Sequence, residues 1–378
     1  MQPLISGDAQ FFYADLTGSR GCNDSPLLDL RNMMVATRAV KTMWMLLPAI
    51  SLAIVQIAGD NVAVVPDMAS VIGTDIYSTI IVAYIILGSL ITGISAWIGV
   101  QTGQELIIVV KKHFGCTGKY TLAAIILATC IPASAITGCY FAGWVLHLLT
   151  GVPHMAAGPI CLFFFTFVAA GYGLEFLKLS NYLALFLLPV VGILFFQQES
   201  INLQYVFDMG AINWPLVFAL IGYNSGGMRS ILVVEAAAIL SKKGDKAVIL
   251  AVMSKMVEGL FTIGVAHLVL FAGAAGPLAL SQAVHKFLGT IGFYVFNIIL
   301  LCTFMNTMVP AMIVNTRQIS LITDLPVWPS LGVSLLAVYL ISLMNFNTLL
   351  MIMSWAGLIT IGFLVYTAWF LHKHRINK

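Results

Sequence analysis

Apolar and polar residues do not alternate along this chain; they separate into long blocks. Ten apolar runs of about twenty residues, centred near Ala53, Ile86, Ala135, Phe164, Phe186, Ile231, Leu260, Leu300, Val338 and Ile361, each match the thickness of a bilayer's hydrocarbon core. Hydrocarbon offers no partner to a backbone N–H or C=O, so a spanning segment must be a helix or part of a closed barrel. Runs this long, without two-residue alternation, predict helices. The pattern predicts an all-α polytopic membrane protein with ten transmembrane helices.

Composition agrees: 60% of the 378 residues are hydrophobic and 9% charged, against roughly a quarter charged in a soluble domain. The few cations are ordered. Arg31, Arg38 and Lys41 precede the first run, and Lys111, Lys112 and Lys119 follow the second. Lys178 follows the fourth, Lys242, Lys243 and Lys246 the sixth, Arg317 the eighth, and Lys373, Arg375 and Lys378 the tenth, while the opposite loops hold Lys286. By the positive-inside rule both termini are expected in the cytoplasm, in a plasma (bacterial inner) membrane. The polar N-terminal stretch, with Asp8, Asp15, Asp24 and Asp29, has no apolar core of a signal peptide, so no cleaved segment is expected. The net charge of +3 belongs to these loops and gives no sign of a nucleic-acid partner. Cys22, Cys116, Cys130, Cys139, Cys161 and Cys302 show no CxxC spacing, which argues against a disulfide framework or a zinc site.

The two halves hold equal numbers of runs. An odd number per half makes the second half enter the membrane from the other side, an inverted repeat. The expected division is a cytoplasmic tail 1–42, a first five-helix repeat 43–198, an outer connection 199–213, a second repeat 214–372 and a tail 373–378. Runs one and six are then equivalent, and both are interrupted: "VQIAGDNVAVVPD" from Val55 to Asp67, and "LIGYNSGGMRSILVVEAA" from Leu220 to Ala237. Glycines at Gly59 and Gly226-Gly227 let a helix unwind, and the backbone groups so released must meet protein, water, an ion or a polar solute. Gln56, Gly59, Asp60 and Asn61 on the first break, and Tyr223, Asn224, Ser225 and Arg229 on the second, are the expected solute-binding residues.

Charge inside the runs points to the same level. Asp60, Arg229, Lys255 and Glu258 each cost roughly 2.5 to 3.5 kcal/mol at a helix centre, so they are expected to face the interior. Lys255 and Glu258 lie three apart, on one helix face, as a structural pair or a coupling pair. Asp60 and Arg229 are placed to pair across a cavity or to hold a zwitterionic or anionic solute. Glu105 and Glu235 lie nearer the cytoplasmic ends, and His267 reads as a histidine hydrogen-bonded within the bundle. Runs three and eight carry small and hydroxyl residues around Pro132 and Pro310, from Ala128 to Trp144 and from Leu301 to Thr316. Ser134 and Thr137 are added to the solute site from the first. From the second, Thr303, Asn306 and Thr307 are oxygen ligands for Na+ or hydroxyls and amides that satisfy their own backbone.

These features resemble the five-plus-five inverted repeat of LeuT-type transporters in the amino acid, polyamine and organocation superfamily, and among its families the nucleobase/cation symporters of the cytosine permease group. "WIGVQTG" (Trp97 to Gly103) is similar to that family's IGAKTG element. "HFGCTGKY" (His113 to Tyr120) and "FAGAAG" (Phe271 to Gly276) resemble its neighbouring segments. The resemblance implies symport of a small polar solute, nucleobase-like or amino acid, with Na+ or H+ as coupling ion and no other cofactor. It departs where that family places a base-stacking aromatic: the matching position here is near Ser134, with Tyr223 or Tyr140 as substitutes. The chain also ends after ten runs rather than twelve.

The expected function is a permease working by alternating access, with the lipid bilayer, the solute and the cation as partners. A membrane ligand sensor on the same fold is the alternative. An enzyme is not expected, because the seven histidines are scattered and no nucleophile-base pair or cofactor motif is present. No filter-like loop of a channel is present either.

Overall fold

The structure is a computed structural model that describes residues 60–104, 106–171, 187–196 and 212–376. The centre of the first run, most of the fifth, the expected tails at 1–42 and 377–378, and Gln56, Gly59 and Glu105 lie outside the described residues. So do the side chains of Asp60, Asn306 and Pro310.

The described chain is all-α. A π-helical turn at Asp60–Val64 leads into α1 (Val65–Ile72), where Pro66 sits in the first turn, the position a helix tolerates best. α2 (Ile76–Ile80) continues through a second π segment, Ile81–Gly88, into α3 (Ser89–Thr102). α4 (Leu106–Ala135) runs through a π segment, Ile136–Phe141, into α5 (Ala142–Thr150). α6 (His154–Gly171) and α7 (Leu187–Phe196) complete the first half. In the second half come α8 (Trp214–Leu220), the π turn Ile221–Ser225, α9 (Gly227–Ile239), α10 (Asp245–Ala272), α11 (Ala279–Thr323), α12 (Val327–Ser342) and α13 (Phe346–Ile376).

Among the described residues, five helical stretches are long and apolar enough to cross a membrane: Asn61–Thr102, Leu106–Thr150, Asp245–Ala272, Ala279–Thr323 and Phe346–Lys373. Trp214–Ser225 with Gly227–Ala238, bent by 45°, makes a sixth if the pair is one span. With their apolar faces turned outward, as at Leu260, Ile291 and Trp355, these helices define an integral membrane protein, since such surface is stable against lipid.

The two halves repeat the same backbone events. α3 ends at Gly103 and α10 at Gly273, both left-handed. α4 bends at Gly115 (φ 68°, ψ −164°) and α11 at Gly289 (φ 67°, ψ −167°). Each bend opens a Gly-x-x-Gly-x-Tyr element, Gly115, Gly118, Tyr120 and Gly289, Gly292, Tyr294. In both, the second glycine lies under the residue before the bend, Phe114 or Leu288, closer than any side chain would allow. The helices that follow end in Thr150-Gly151-Val152-Pro153 and Thr323-Asp324-Leu325-Pro326, with Gly151 and Asp324 left-handed. Thr150 donates to the carbonyl of Leu146 and Thr323 to that of Ile319, both at 2.7 Å. The first Gly-x-x-Gly-x-Tyr element lies within the His113 to Tyr120 segment; its counterpart at Gly289–Tyr294 and the two Thr-x-x-Pro turns can be read in the sequence once the bends give the register.

α9 and α10 both pack extensively on α3, α13 packs on the π turn Ile221–Ser225 and about as extensively on α4, α11 packs on α4 and α12, and α6 on α5. Glycine makes the contacts of α3 and α13 with the second break tight. A Cβ on Gly222 would stand 2.1 Å from the carbonyl oxygen of Ser354, and one on Gly99 2.2 Å from that of Val234. Helix backbones that approach this closely exchange the van der Waals contact that drives association in lipid.

Candidate functional site

The break in the sixth run falls at Gly226 (φ −91°, ψ −173°), after a π turn that already loosens the helix. Gly227 follows at φ +59°, and a Cβ there would meet Thr129 of α4 at 2.7 Å, so no other residue fits. Because α9 starts afresh with no side-chain cap, its first N–H groups are directed at the break with the positive end of the helix dipole.

Two different environments meet at this break. On one side is a hub around Glu258, which is wholly buried on α10. Its Oε1 accepts from Asn61 Nδ2 at 3.0 Å, Asn224 Nδ2 at 2.9 Å and an Arg229 guanidinium nitrogen at 3.1 Å. Its Oε2 accepts from Lys255 Nζ at 2.8 Å. Lys255 also donates to Asn224 Oδ1 and stands 5.1 Å from the centre of the Tyr84 ring. Asn61 donates again to Thr262, at 2.7 Å. One carboxylate thus ties together the π turn Asp60–Val64, the break at Gly226 and α10.

On the other side is a small cavity of ≈ 30 Å³, lined by Thr129, Ala133 and Thr137 from the α4–α5 helix, by Gly222, Tyr223 and Gly226 to Arg229 from the break, by Thr307 of α11 and by Met353 of α13. That is room for about one water molecule. Arg229 reaches both environments: its guanidinium bonds Glu258, yet its side chain keeps 12% of its surface exposed.

The structure brings Asn61, Asn224, Arg229, Lys255 and Glu258 together, and sets Thr137, Tyr223, Arg229 and Thr307 around the cavity. Arg229 pairs with Glu258; its expected pairing with Asp60 lies outside the described residues. Lys255 and Glu258 are an ion pair at 2.8 Å, but not an isolated one. The Ser134 hydroxyl donates to the carbonyl of Cys130 and accepts from Asn315, and Ser134 is not among the residues that line the cavity. Thr303 donates to the carbonyl of Ile299 at 3.0 Å, within its own helix. Tyr140 lies away from the break, donating to the carbonyl of Met344. His267 meets the Tyr77 hydroxyl at 3.0 Å. Ser225 is buried, and its hydroxyl has no hydrogen-bond partner among the described residues.

Thr129 and Thr262 were missed. Hydroxyl residues on apolar helices commonly bond their own backbone, and both do so here, to Ile126 and Glu258; the break and Asn61 give them their second roles.

No protein-family model matches the chain, and no curated protein matches it. A solved structure it is similar to is that of a manganese transporter mutant from Eremococcus coleocola, with 14% identity over 85% of this chain and 77% of that one and a TM-score of 0.48. A likeness of that strength argues for no function, and the reading below stands on the chain's own residues.

Proposed function

We propose that this protein is a secondary active transporter that carries a small polar solute, an amino acid or a nucleobase-like compound, across the membrane by alternating access in symport with a cation, Na+ or H+. The observation that carries the reading is the cavity at the helix break, where Arg229 and the uncapped start of α9 meet hydroxyls from α4–α5 and α11. Such donors suit a carboxylate or a carbonyl. The repeated Gly-x-x-Gly-x-Tyr and Thr-x-x-Pro elements support two repeats, taken as 43–198 and 214–372, in opposite orientation with both termini in the cytoplasm of a cell bounded by this plasma membrane. A cavity that admits about one water cannot hold the solute, so its walls part on binding. Of the expected Na+ trio Thr303, Asn306 and Thr307, Thr307 is placed at that cavity, and the side chain of Asn306 lies outside the described residues.

Purified protein in proteoliposomes tests this. Screening by thermal stabilisation finds the solute class, because a ligand that binds the folded state raises its stability with occupancy, and radiolabelled uptake then follows with and without an ion gradient. Accumulation against a gradient is the expected result. Stabilisation without accumulation would turn the reading to a membrane ligand sensor, and no response to amino acids, nucleobases or small organic acids would reject the solute class.

A further inference from the structure

We propose that a groove on the lipid-facing side of α3 binds an anionic phospholipid, with an acyl chain along the groove and the headgroup on lysines at its mouth. The groove has a volume of ≈ 540 Å³ and lies between Leu90, Gly93 and Trp97 of α3, Val248 and Val252 of α10 and Ala368 of α13. Sites for small ligands are of this size, about 300–1,000 Å³. Gly93 lets α10 come close, since a Cβ there would stand 3.2 Å from a Val252 methyl group. Leu90 at the rim is 60% exposed. Ser89 lies at the deep end with its hydroxyl oxygen covered, so the wall offers carbon to an occupant. From Ser89 to Trp97 is about 12 Å along the helix, at 1.5 Å per residue, close to the about 15 Å of one leaflet of hydrocarbon. The groove is one leaflet deep, and it ends at a tryptophan, a residue that favours the membrane interface.

A second, independent observation is the charge at the mouth. Ala368 and His372 are four apart on α13, and the His372 ring centre lies 6.4 Å from that of Trp97. Lys373 follows, its ammonium 5.3 Å from the centre of the Trp369 ring. The turn Ser241–Lys243 packs on the same end of α3, where a Cβ on Gly103 would meet Ser241 Oγ at 3.6 Å, and it leads into α10. Lys242, Lys246 and Lys373 are exposed, and Asp245 is the acid beside them among the described residues. Lysines at a membrane surface attract anionic lipid. A second copy of this chain seated here about a two-fold axis would set the same lysines against each other, whereas a lipid with an apolar tail and an anionic head satisfies slot and mouth together.

The inference is independent of the transporter reading. Purified, delipidated protein in neutral detergent is titrated with dioleoyl phosphatidylglycerol or dioleoyl phosphatidylcholine, which share their chains, and Tm is followed. A saturable rise is expected, with phosphatidylglycerol favoured at least about tenfold; an equal response to both lipids overturns the proposal. Glycerol 3-phosphate, a headgroup without a tail, is expected to leave Tm unchanged, and a saturable rise with it overturns the acyl slot. Lys242→Gln, Lys246→Gln and Lys373→Gln combined are expected to abolish the preference, and a preference that survives overturns the lysine mouth. Ala368→Phe, which places a ring in the groove, is expected to abolish the saturable rise; a rise that survives puts the lipid elsewhere and overturns the proposal. A dimer that Ala368→Phe dissociates, without any response to lipid, overturns it in favour of a second copy. Should Ala368→Phe fail to fold, native mass spectrometry of the wild type and the lysine variant decides. One phosphatidylglycerol retained by the wild type and lost from the variant is expected; none retained by the wild type, or equal retention by both, overturns it.

Discussion

The two sides of the helix break obey different rules. Toward α3, α10 and α13 the break is dry and close: Gly222 and Gly226 lie on the backbone of α13, Gly99 lies on α9, and the charges of Lys255, Glu258 and Arg229 satisfy one another. Toward α4–α5 and α11 the same turn meets threonines and a cavity, with Arg229 partly uncovered. The first side has little to give to a solute, since its charges pair with one another and its backbones already touch. The second has free volume and hydroxyls that can exchange partners.

Removing the hub should break this contrast most severely. Glu258→Gln leaves Lys255 and Arg229 without the described carboxylate, and the loss of one partner from a buried ion pair costs about 3–5 kcal/mol. Loss of monodisperse protein, or a Tm far below wild type, is the expected reading in size-exclusion chromatography and melting; a Glu258→Gln protein as stable as wild type would show that the hub does not hold that side together.

Next in size is Gly222→Ala. The added methyl would stand 2.1 Å from the carbonyl oxygen of Ser354, so α8 and α13 must move apart, at about 1–3 kcal/mol for an overpacked contact. Gly192→Ala, with open space around its α-carbon, is the control and is expected to melt near the wild type.

Arg229→Gln separates the two walls, because Arg229 serves both. The hub keeps Lys255 against Glu258, so the variant is expected to purify with a smaller loss of Tm than Glu258→Gln. Solute uptake should fall at least about tenfold, the size of one lost charge-assisted contact of about 1.5–3 kcal/mol. Normal uptake by Arg229→Gln would make the arginine a purely structural charge and move the site elsewhere.

The smallest expected effect sharpens the wet side alone. Thr137→Val keeps the volume of a buried cavity-lining residue and removes its hydroxyl. A Tm shift within a few degrees is expected, together with a solute affinity weakened about fivefold, as for one neutral hydrogen bond of about 1 kcal/mol. Titrating the solute against Tm measures both. Equal affinity in the two proteins would place the solute away from α4–α5.

Much of this architecture was legible because the bilayer imposes it. Apolar runs, Lys and Arg in alternate loops and the Gly226-Gly227 break all follow from the absence of water in hydrocarbon, and the structure places its interruption at Gly226. The site was legible in part. Lys255 and Glu258 could be paired from their spacing on one helix, but sequence distance says nothing of a partner 29 residues away, and the Arg229–Glu258 bond was missed for that reason. For Ser134 the sequence could not choose, because a small polar residue on a flanking helix looks the same whether it faces a cavity or, as here, Asn315 of α11.

What the sequence determined by itself was that the chain folds into long apolar helices, that one of them cannot continue through Gly226, and that Lys255 and Glu258 must face inward, since each is settled by transfer free energies acting on one stretch of chain. What only the tertiary structure decided was who meets whom: that Glu258 gathers Asn61, Asn224, Lys255 and Arg229 from separate elements, and that Gly227 brings the break against Thr129. Contacts between distant segments depend on the relative placement of helices, and that is fixed by close packing of glycine and threonine surfaces across the whole bundle rather than by any local pattern.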